Sequence, residues 1–341
     1  MVAEPPGRSV TDAPDEQPDA LARAAEVEER LLGGPRRHTR AQAAAFADVS
    51  EDYARRLWRA MGFANVGEGA AAFTDGDLVA MDRLTTLVRE GVLDDELAVS
   101  VTRALGHNAA RLVEWQVDAL AEHLVRRDGV TPDEATRRAV DISGEHLEEL
   151  EALLVYAWRR QLAAVAGRVL ATRDADAVSG VLSVGFADLV SYTRLSQKLE
   201  ERELAALVDR FVQRSADVIA GSGGRLVKTV GDEVLFVADS AAAAALIGLE
   251  LAETMAEDPM LPDVRVGIAT GTVLTRMGDV FGRTVNLASR LTALAAPGTV
   301  LVDGDTAVAL AGSEDFALDV EPARAVRGMG LVRPGVLRRT R

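Results

Sequence analysis

From about residue 21 to 168, apolar residues return every three or four positions, the spacing of one helix face. The pattern is clearest in ALARAAEVEERLL, EDYARRLWRAMGF, DLVAMDRLTTLVREGVL and LAVSVTRALGHNAARLVEWQVDALAEHLV. TPDEATRRAV opens a further helix, with Thr131 as N-cap, Pro132 in the first turn and Glu134 placed to close a capping box. That helix, or a pair of helices, continues to about Leu170. After the polar, small-residue stretch ATRDADAVSG the period changes. SGVLSVGFADL reads as a strand, TRLSQKLEERELAALVDRFVQRSADVIAG as a helix, and GGRLVKTVGDEVLFVAD as a hairpin turning at Gly231-Asp232. SAAAAALIGLELAETMAED predicts a second helix, VRVGIATGTVLTRMG a second hairpin-like pair and RTVNLASRLTALA a third helix. GTVLVD, FALDVEP and RAVRGMGLVRPGVLRR predict later strands. The order β-α-β-β-α-β is that of a ferredoxin-like sheet with additions at the C-terminus. The expected fold class is therefore α+β, preceded by an all-α region. Residues 1–20 form a disordered start, 21–170 a helical domain, 171–178 a linker and 179–341 the α+β domain.

Composition narrows the function classes. A chain of 341 residues can fill two cores without metal or disulfide support, and the absence of cysteine excludes disulfides, thiolate metal sites and cysteine nucleophiles. A formal charge of -15 argues against a general binder of nucleic acid or anionic membrane. MVAEPPGRSV lacks the basic start and apolar stretch of a signal peptide, and no segment reaches the roughly 18 uninterrupted apolar residues of a membrane span. A soluble, cytoplasmic protein is expected.

Several polar residues fall where burial makes them costly. Asp188 ends the apolar strand in VGFADLVSYT, and Asp232 occupies the turn of KTVGDEV. Either alone reads as a helix cap or a turn residue; as a pair on adjacent central strands they suit a hard divalent ion such as Mg²⁺ or Mn²⁺. The strand-to-helix turn FADLVSYT presents backbone N–H groups to a phosphate, and Arg265 in VRVGIATG lies on a neighbouring strand. Asn286 and Arg290 stand four apart on one helix face. Of 38 basic residues only Lys198 and Lys228 are lysines, and Lys228 lies in an otherwise apolar strand.

FADLVSYT, KTVGDEV, VRVGIATG and DVFGRTVNLASRL, in this order, resemble the class III nucleotide cyclase catalytic domain over roughly residues 178 to 340. The resemblance implies that Asp188 and Asp232 bind two Mg²⁺ or Mn²⁺ ions per active site. It implies that Lys228 and Asp279 read adenine, that Asn286 orients the ribose, and that Arg290 stabilises the transition state. Arg265 would contact the triphosphate, and Arg327, in VRGMG, stands where relatives carry a phosphate-binding lysine. It further implies a homodimer whose two sites each combine residues of both chains. The product would be 3′,5′-cyclic AMP, formed from ATP by in-line attack of the ribose 3′-oxygen with loss of pyrophosphate. A donor at 228 and an acceptor at 279 match adenine, whereas guanine would want an acceptor and a small residue there. Alternatives are a guanylyl or relaxed-specificity cyclase, and a silent cyclase fold acting as a ligand-sensing or DNA-binding regulator. The filled core positions argue against the silent fold. A diguanylate cyclase would want Gly-Gly-Asp-Glu-Phe where this chain has VGDEV.

The helical half is similar to the regulatory domain of soluble actinobacterial adenylyl cyclases, which implies control of the cyclase by protons or a lipid. His38, His107, His123 and His146 all lie in it. About residues 35 to 62 also read as a helix-turn-helix bearing Arg55, Arg56 and Arg59, against which the acidic stretch that follows weighs.

Overall fold

The computed structural model describes residues 16–171, 179–276 and 278–340. Most of the expected N-terminal tail (1–15) and most of the expected linker (172–178) lie outside the described residues. The chain divides into two compact units, one ending at Ala166 and the other beginning at Gly167.

The first unit is helical. Its elements are α1 (Glu16–Leu32), α2 (Arg40–Phe46), α3 (Glu51–Ala60), α4 (Asp75–Arg89), α5 (Asp95–Asp128), α6 (Pro132–Glu145) and α7 (Leu147–Ala171), whose last residues pass into the second unit. Glu16–Ala20 fall in α1, where Pro18 is tolerated because first-turn N–H groups have no helical partner. The run to Leu170 is a helix pair, broken at His146. Thr131 caps α6 through the Glu134 N–H at 3.3 Å. Glu134 leaves the capping box half made, because its carboxylate is held by Arg138 at 2.9 Å. Small side chains let α2 and α3 pack closely on α4 and α5, with Ala43, Ala54, Leu57 and Phe73 at the centre. A second core joins α5 to α6 through Leu124, Ala135 and Ala139. On α3, Arg55 pairs with Asp52 and Arg56 with Glu96, so acidic neighbours already engage two of the three arginines that gave the disfavoured DNA-binding alternative. Two cavities of about 830 and 850 Å³ share Trp58, Phe63 and Asp77 in their walls.

The second unit is the α+β domain. Its elements run β1 (Ser179–Leu189), α8 (Tyr192–Leu195), α9 (Glu201–Gly221), β2 (Arg225–Val230), β3 (Glu233–Ala238), α10 (Ala241–Glu257), β4 (Val264–Arg276), β5 (Asp279–Phe281), α11 (Arg283–Leu294), β6 (Val300–Val302), α12 (Gly304–Leu310), β7 (Phe316–Val320), β8 (Arg324–Val326), β9 (Gly330–Val332) and β10 (Gly335–Arg339). The main sheet has the order β2-β3-β1-β4-β6-β10-β7, with β5 paired to β4 and β8-β9 a separate ribbon. Its β4-β1-β3-β2 portion has the ferredoxin-like order, and β4-β6 is a parallel pair.

Both faces of the central strands are covered, which explains why β1 reads as a nearly continuous apolar run. Ala187 and Leu189 enter a core with Phe211 of α9 and Ile247 and Leu251 of α10. Val184 and Phe186 enter another with Ala288 of α11. Two glycines admit α11 to this second face. A Cβ on Gly267 would lie 2.2 Å from Thr292 N and 2.5 Å from Ala288 O, and one on Gly271 would lie 2.8 Å from Thr284 Oγ1. Here the structure corrects the expected hairpin in VRVGIATGTVLTRMG: β4 runs unbroken for 13 residues, and the glycines serve close approach rather than a turn. The expected helix over 193–221 is also divided. Glu200 starts α9 afresh, its N–H donating to Glu203 Oε2 at 3.1 Å. The short α12 was not expected; buried Asp303 caps it through the Thr306 N–H at 2.9 Å. Among the described residues no helix is long and apolar enough to cross a membrane.

Candidate active site

Three central strands bring one group of charges together. The β1–β3 register sets Asp188 opposite Glu233, and the β1–β4 register sets Asp188 opposite Arg265. Residues so paired share a sheet face, which makes a transverse rung Glu233–Asp188–Arg265. Asp232 joins the rung from the β2–β3 turn. Gly231 supplies a positive φ of 60° at the first turn position, and the Leu189 N–H binds Asp232 O at 3.1 Å, tying that turn to the end of β1. Asp188 is not a helix cap. α8 begins at Tyr192, and its N-cap residue is Ser191, which takes a left-handed φ of 64°. A non-glycine residue in that region costs about 1–3 kcal/mol, and such cost concentrates at functional turns.

The electrostatics follow from the rung. Burial pushes the Asp232 carboxyl above its usual range, and the Asp188 carboxylate beside it adds to the rise. Glu233 is pushed up to about 7, by burial first and then by Asp188 and Asp232. Against these three carboxyl groups stands the Arg265 guanidinium, paired with Asp188. Its Nε is buried and has no hydrogen-bond partner among the described residues. The excess of negative charge suits a hard cation. Among the described residues no three acidic or imidazole groups are gathered closely enough to hold an ion alone. An ion at Asp188 and Asp232 would therefore complete its shell with water and phosphate oxygens, as Mg²⁺ commonly does.

A second group forms between β2 and β5. Lys228 Nζ lies 2.6 Å from Asp279 Oδ2. Burial alone would raise the Asp279 carboxyl, but Lys228 and the Val280 N–H, 2.8 Å from Oδ1, hold it below its ordinary value. The register slips between Leu226 and Lys228, a bulge that redirects the lysine. Asn286 and Arg290 both lie exposed on α11, one turn apart. Arg327 lies exposed between β8 and β9, away from the main sheet's strands. Among the described residues no hydrogen bond or ion pair links Arg327, Asn286 or Arg290 to the carboxylate rung. Glu233 is the one member of the rung that sequence reasoning missed. Its signal was an acidic residue opening the apolar run EVLFVA.

The adenylate and guanylate cyclase catalytic domain family matches residues 176–336. An adenylate cyclase of Streptomyces coelicolor is 48% identical over 96% of this chain and 91% of its own length. One from Streptomyces griseus is 51% identical over 82% of this chain and 69% of its own, and one from Glutamicibacter nicotianae 40% identical over 97% and 85%. With relatives this similar across both the helical and the α+β units, the chain belongs to the class III adenylate cyclase family.

Proposed function

We propose that the protein converts ATP to 3′,5′-cyclic AMP and pyrophosphate, with Asp188 and Asp232 holding Mg²⁺ or Mn²⁺, two ions per site. The observation that carries the choice of ATP is the Lys228–Asp279 pair at 2.6 Å. It sets a donor beside an acceptor in the pattern that adenine's ring nitrogen and exocyclic amine complement. Asp188 and Asp232 present oxygen ligands at the strand ends, and Arg265 lies on the same rung, where it can meet the triphosphate. When bound, the ions acidify the ribose 3′-hydroxyl and neutralise phosphate charge. Asn286 orients the ribose. Arg290 meets the charge that develops as the new 3′-O–P bond forms and the bond to pyrophosphate breaks. Arg327, exposed in its turn, would supply a further cation to the phosphates. The test is cyclic-nucleotide production from ATP and from GTP, with Mn²⁺ or Mg²⁺, by wild type and Asp188→Ala. Wild type that makes neither product between acidic and neutral pH refutes the reading. ATP as substrate places the enzyme in the cytoplasm in this reading.

The site is composite in this reading: Asp188 and Asp232 come from one protomer, and Lys228, Asp279, Asn286 and Arg290 from its partner. Two observations support a dimer. Asn286 and Arg290 stand exposed on α11, and α7 displays Leu153, Tyr156, Trp158 and Leu162 at its surface, at 52–64% exposure. Asp188→Ala and Arg290→Ala are then each inactive, while their mixture recovers about a quarter of wild-type activity, because half of randomly assorted dimers carry one intact site. A mixture as inactive as its components would count against shared sites.

The helical unit regulates the cyclase unit in this proposal, through protons or a lipid. His38 Nε2 lies 2.6 Å from Asp75 Oδ1, and the His38 and Arg37 side chains hold the Asp75 carboxyl below its usual range. The two apolar-walled cavities, about 830 and 850 Å³, have the volume of small-molecule sites. A chain that starts at about residue 170 is expected to lose the full-length pH–activity profile, and an identical profile would remove the regulatory role.

A further inference from the structure

Arg265 closes one end of the charged rung, and three features set it apart from a surface ion pair. The β1–β4 register places it directly opposite Asp188, so the pair is built into the sheet rather than formed by two long side chains meeting by chance. The pair is shielded, with the arginine side chain 31% and the aspartate 20% exposed. Its Nε is buried without a hydrogen-bond partner among the described residues, so the planar fork is only partly used. Asp188, Asp232 and Glu233 share one end of the central strands, where like charges repel, and Arg265 is the cation on their rung.

We infer that Arg265 is a positioning residue that competes with a divalent cation for Asp188. With no cation bound, its guanidinium compensates Asp188 and lets that carboxylate sit beside Asp232 and Glu233. A cation reaching Asp188 must displace it. The guanidinium so released carries a free Nε–H toward an anion, so a polyphosphate that draws Arg265 away also opens Asp188 to the cation. The two ligands therefore assist each other through one side chain, and such coupling is reciprocal. This inference rests on Asp188 and Asp232 being the metal ligands.

The test uses Mn²⁺ alone, without nucleotide, on the full-length protein, with binding read by electron paramagnetic resonance and calorimetry. Arg265→Gln is expected to bind Mn²⁺ about fivefold or more tightly than wild type, the lower end of ordinary coupling. Adding Asp188→Asn to Arg265→Gln should abolish the gain. Arg338→Gln removes an equal charge from β10, across the sheet, where Arg338 pairs with Asp319 at 3.4 Å; it is expected to change Mn²⁺ affinity less than twofold. Circular dichroism checks the fold, and Arg265→Ala is read in the same way if the glutamine variant does not fold. Arg265→Gln that binds Mn²⁺ no more tightly than wild type overturns the inference, and so does an equal gain in Arg338→Gln. Those outcomes leave the metal reading intact. If wild type and Arg265→Gln both fail to bind Mn²⁺, the metal reading itself fails, and the inference with it.

Discussion

Asp188→Ala is expected to abolish cyclic-nucleotide formation while leaving the protein folded. Asp188 lies at the centre of the rung, between Glu233 and Arg265 and beside Asp232. In the proposed reaction it holds the ions that neutralise phosphate charge, an effect worth several kcal/mol of transition-state stabilisation. At 1.36 kcal/mol for each factor of ten, the expected loss in kcat is about three orders of magnitude. Stability responds differently because two effects oppose. Removing Asp188 strips a partly buried guanidinium of its partner, which costs about 1–3 kcal/mol. It also relieves Asp232 and Glu233 of the like charge that helps to raise both carboxyls. The net change in stability is therefore expected within about 1 kcal/mol, a few degrees in melting temperature. Chromatography of the reaction products measures the first effect and thermal unfolding the second. A variant that keeps more than a tenth of wild-type turnover removes Asp188 from the chemistry. One that loses activity only because it has unfolded leaves the fold, and not the site, responsible.

The sequence carried much of this arrangement, and the gaps have physical causes. The bounds of β1 were legible to the residue, because Ser179–Leu189 is apolar on both faces and the sheet buries both faces. β4 was misread as a hairpin because Gly267 and Gly271 punctuate it like turns. A glycine that admits a helix and a glycine that turns a strand look alike until α11 is placed. Arg265 was legible as a candidate, but its pairing with Asp188 depends on register between strands 77 residues apart in sequence. Glu233 escaped notice because an acidic residue at a hairpin end is usually solvated. Here β1 lies alongside and buries it. Arg327 was placed by resemblance, and the structure sets it in an exposed turn of a separate ribbon. The helix break at Ser196–Glu200 was invisible in the apolar spacing, since it rests on Glu200 and Glu203 closing a new N-terminus.

Lys228→Glu combined with Asp279→Ala is expected to turn the nucleotide preference from ATP toward GTP. The two residues are 51 apart in sequence, and neither would find the other without the bulge at Val227 and the short strand β5. As built, the ammonium donates and the carboxylate accepts. Adenine offers the complement, a ring acceptor beside an amino donor, whereas guanine presents a ring donor beside a carbonyl acceptor. Guanine in the wild-type site would set its carbonyl against Asp279 and its ring N–H against Lys228, leaving both protein groups unpaired or repelled. Sites that hydrogen-bond a substrate group reject an analogue lacking it by as much as about 10⁴–10⁵, so reversing the donor at 228 and removing the acceptor at 279 should move the ATP-to-GTP ratio of kcat/KM by at least about 100-fold. The single change Lys228→Ala should lower ATP turnover without raising GTP turnover, since it removes a donor and supplies no acceptor. It also leaves Asp279 without the partner that keeps its carboxyl below the ordinary range. Steady-state kinetics with each nucleotide at fixed Mn²⁺ decides the matter. A double variant that loses ATP turnover but keeps the wild-type ratio would show that Lys228 and Asp279 support the hairpin rather than read the base.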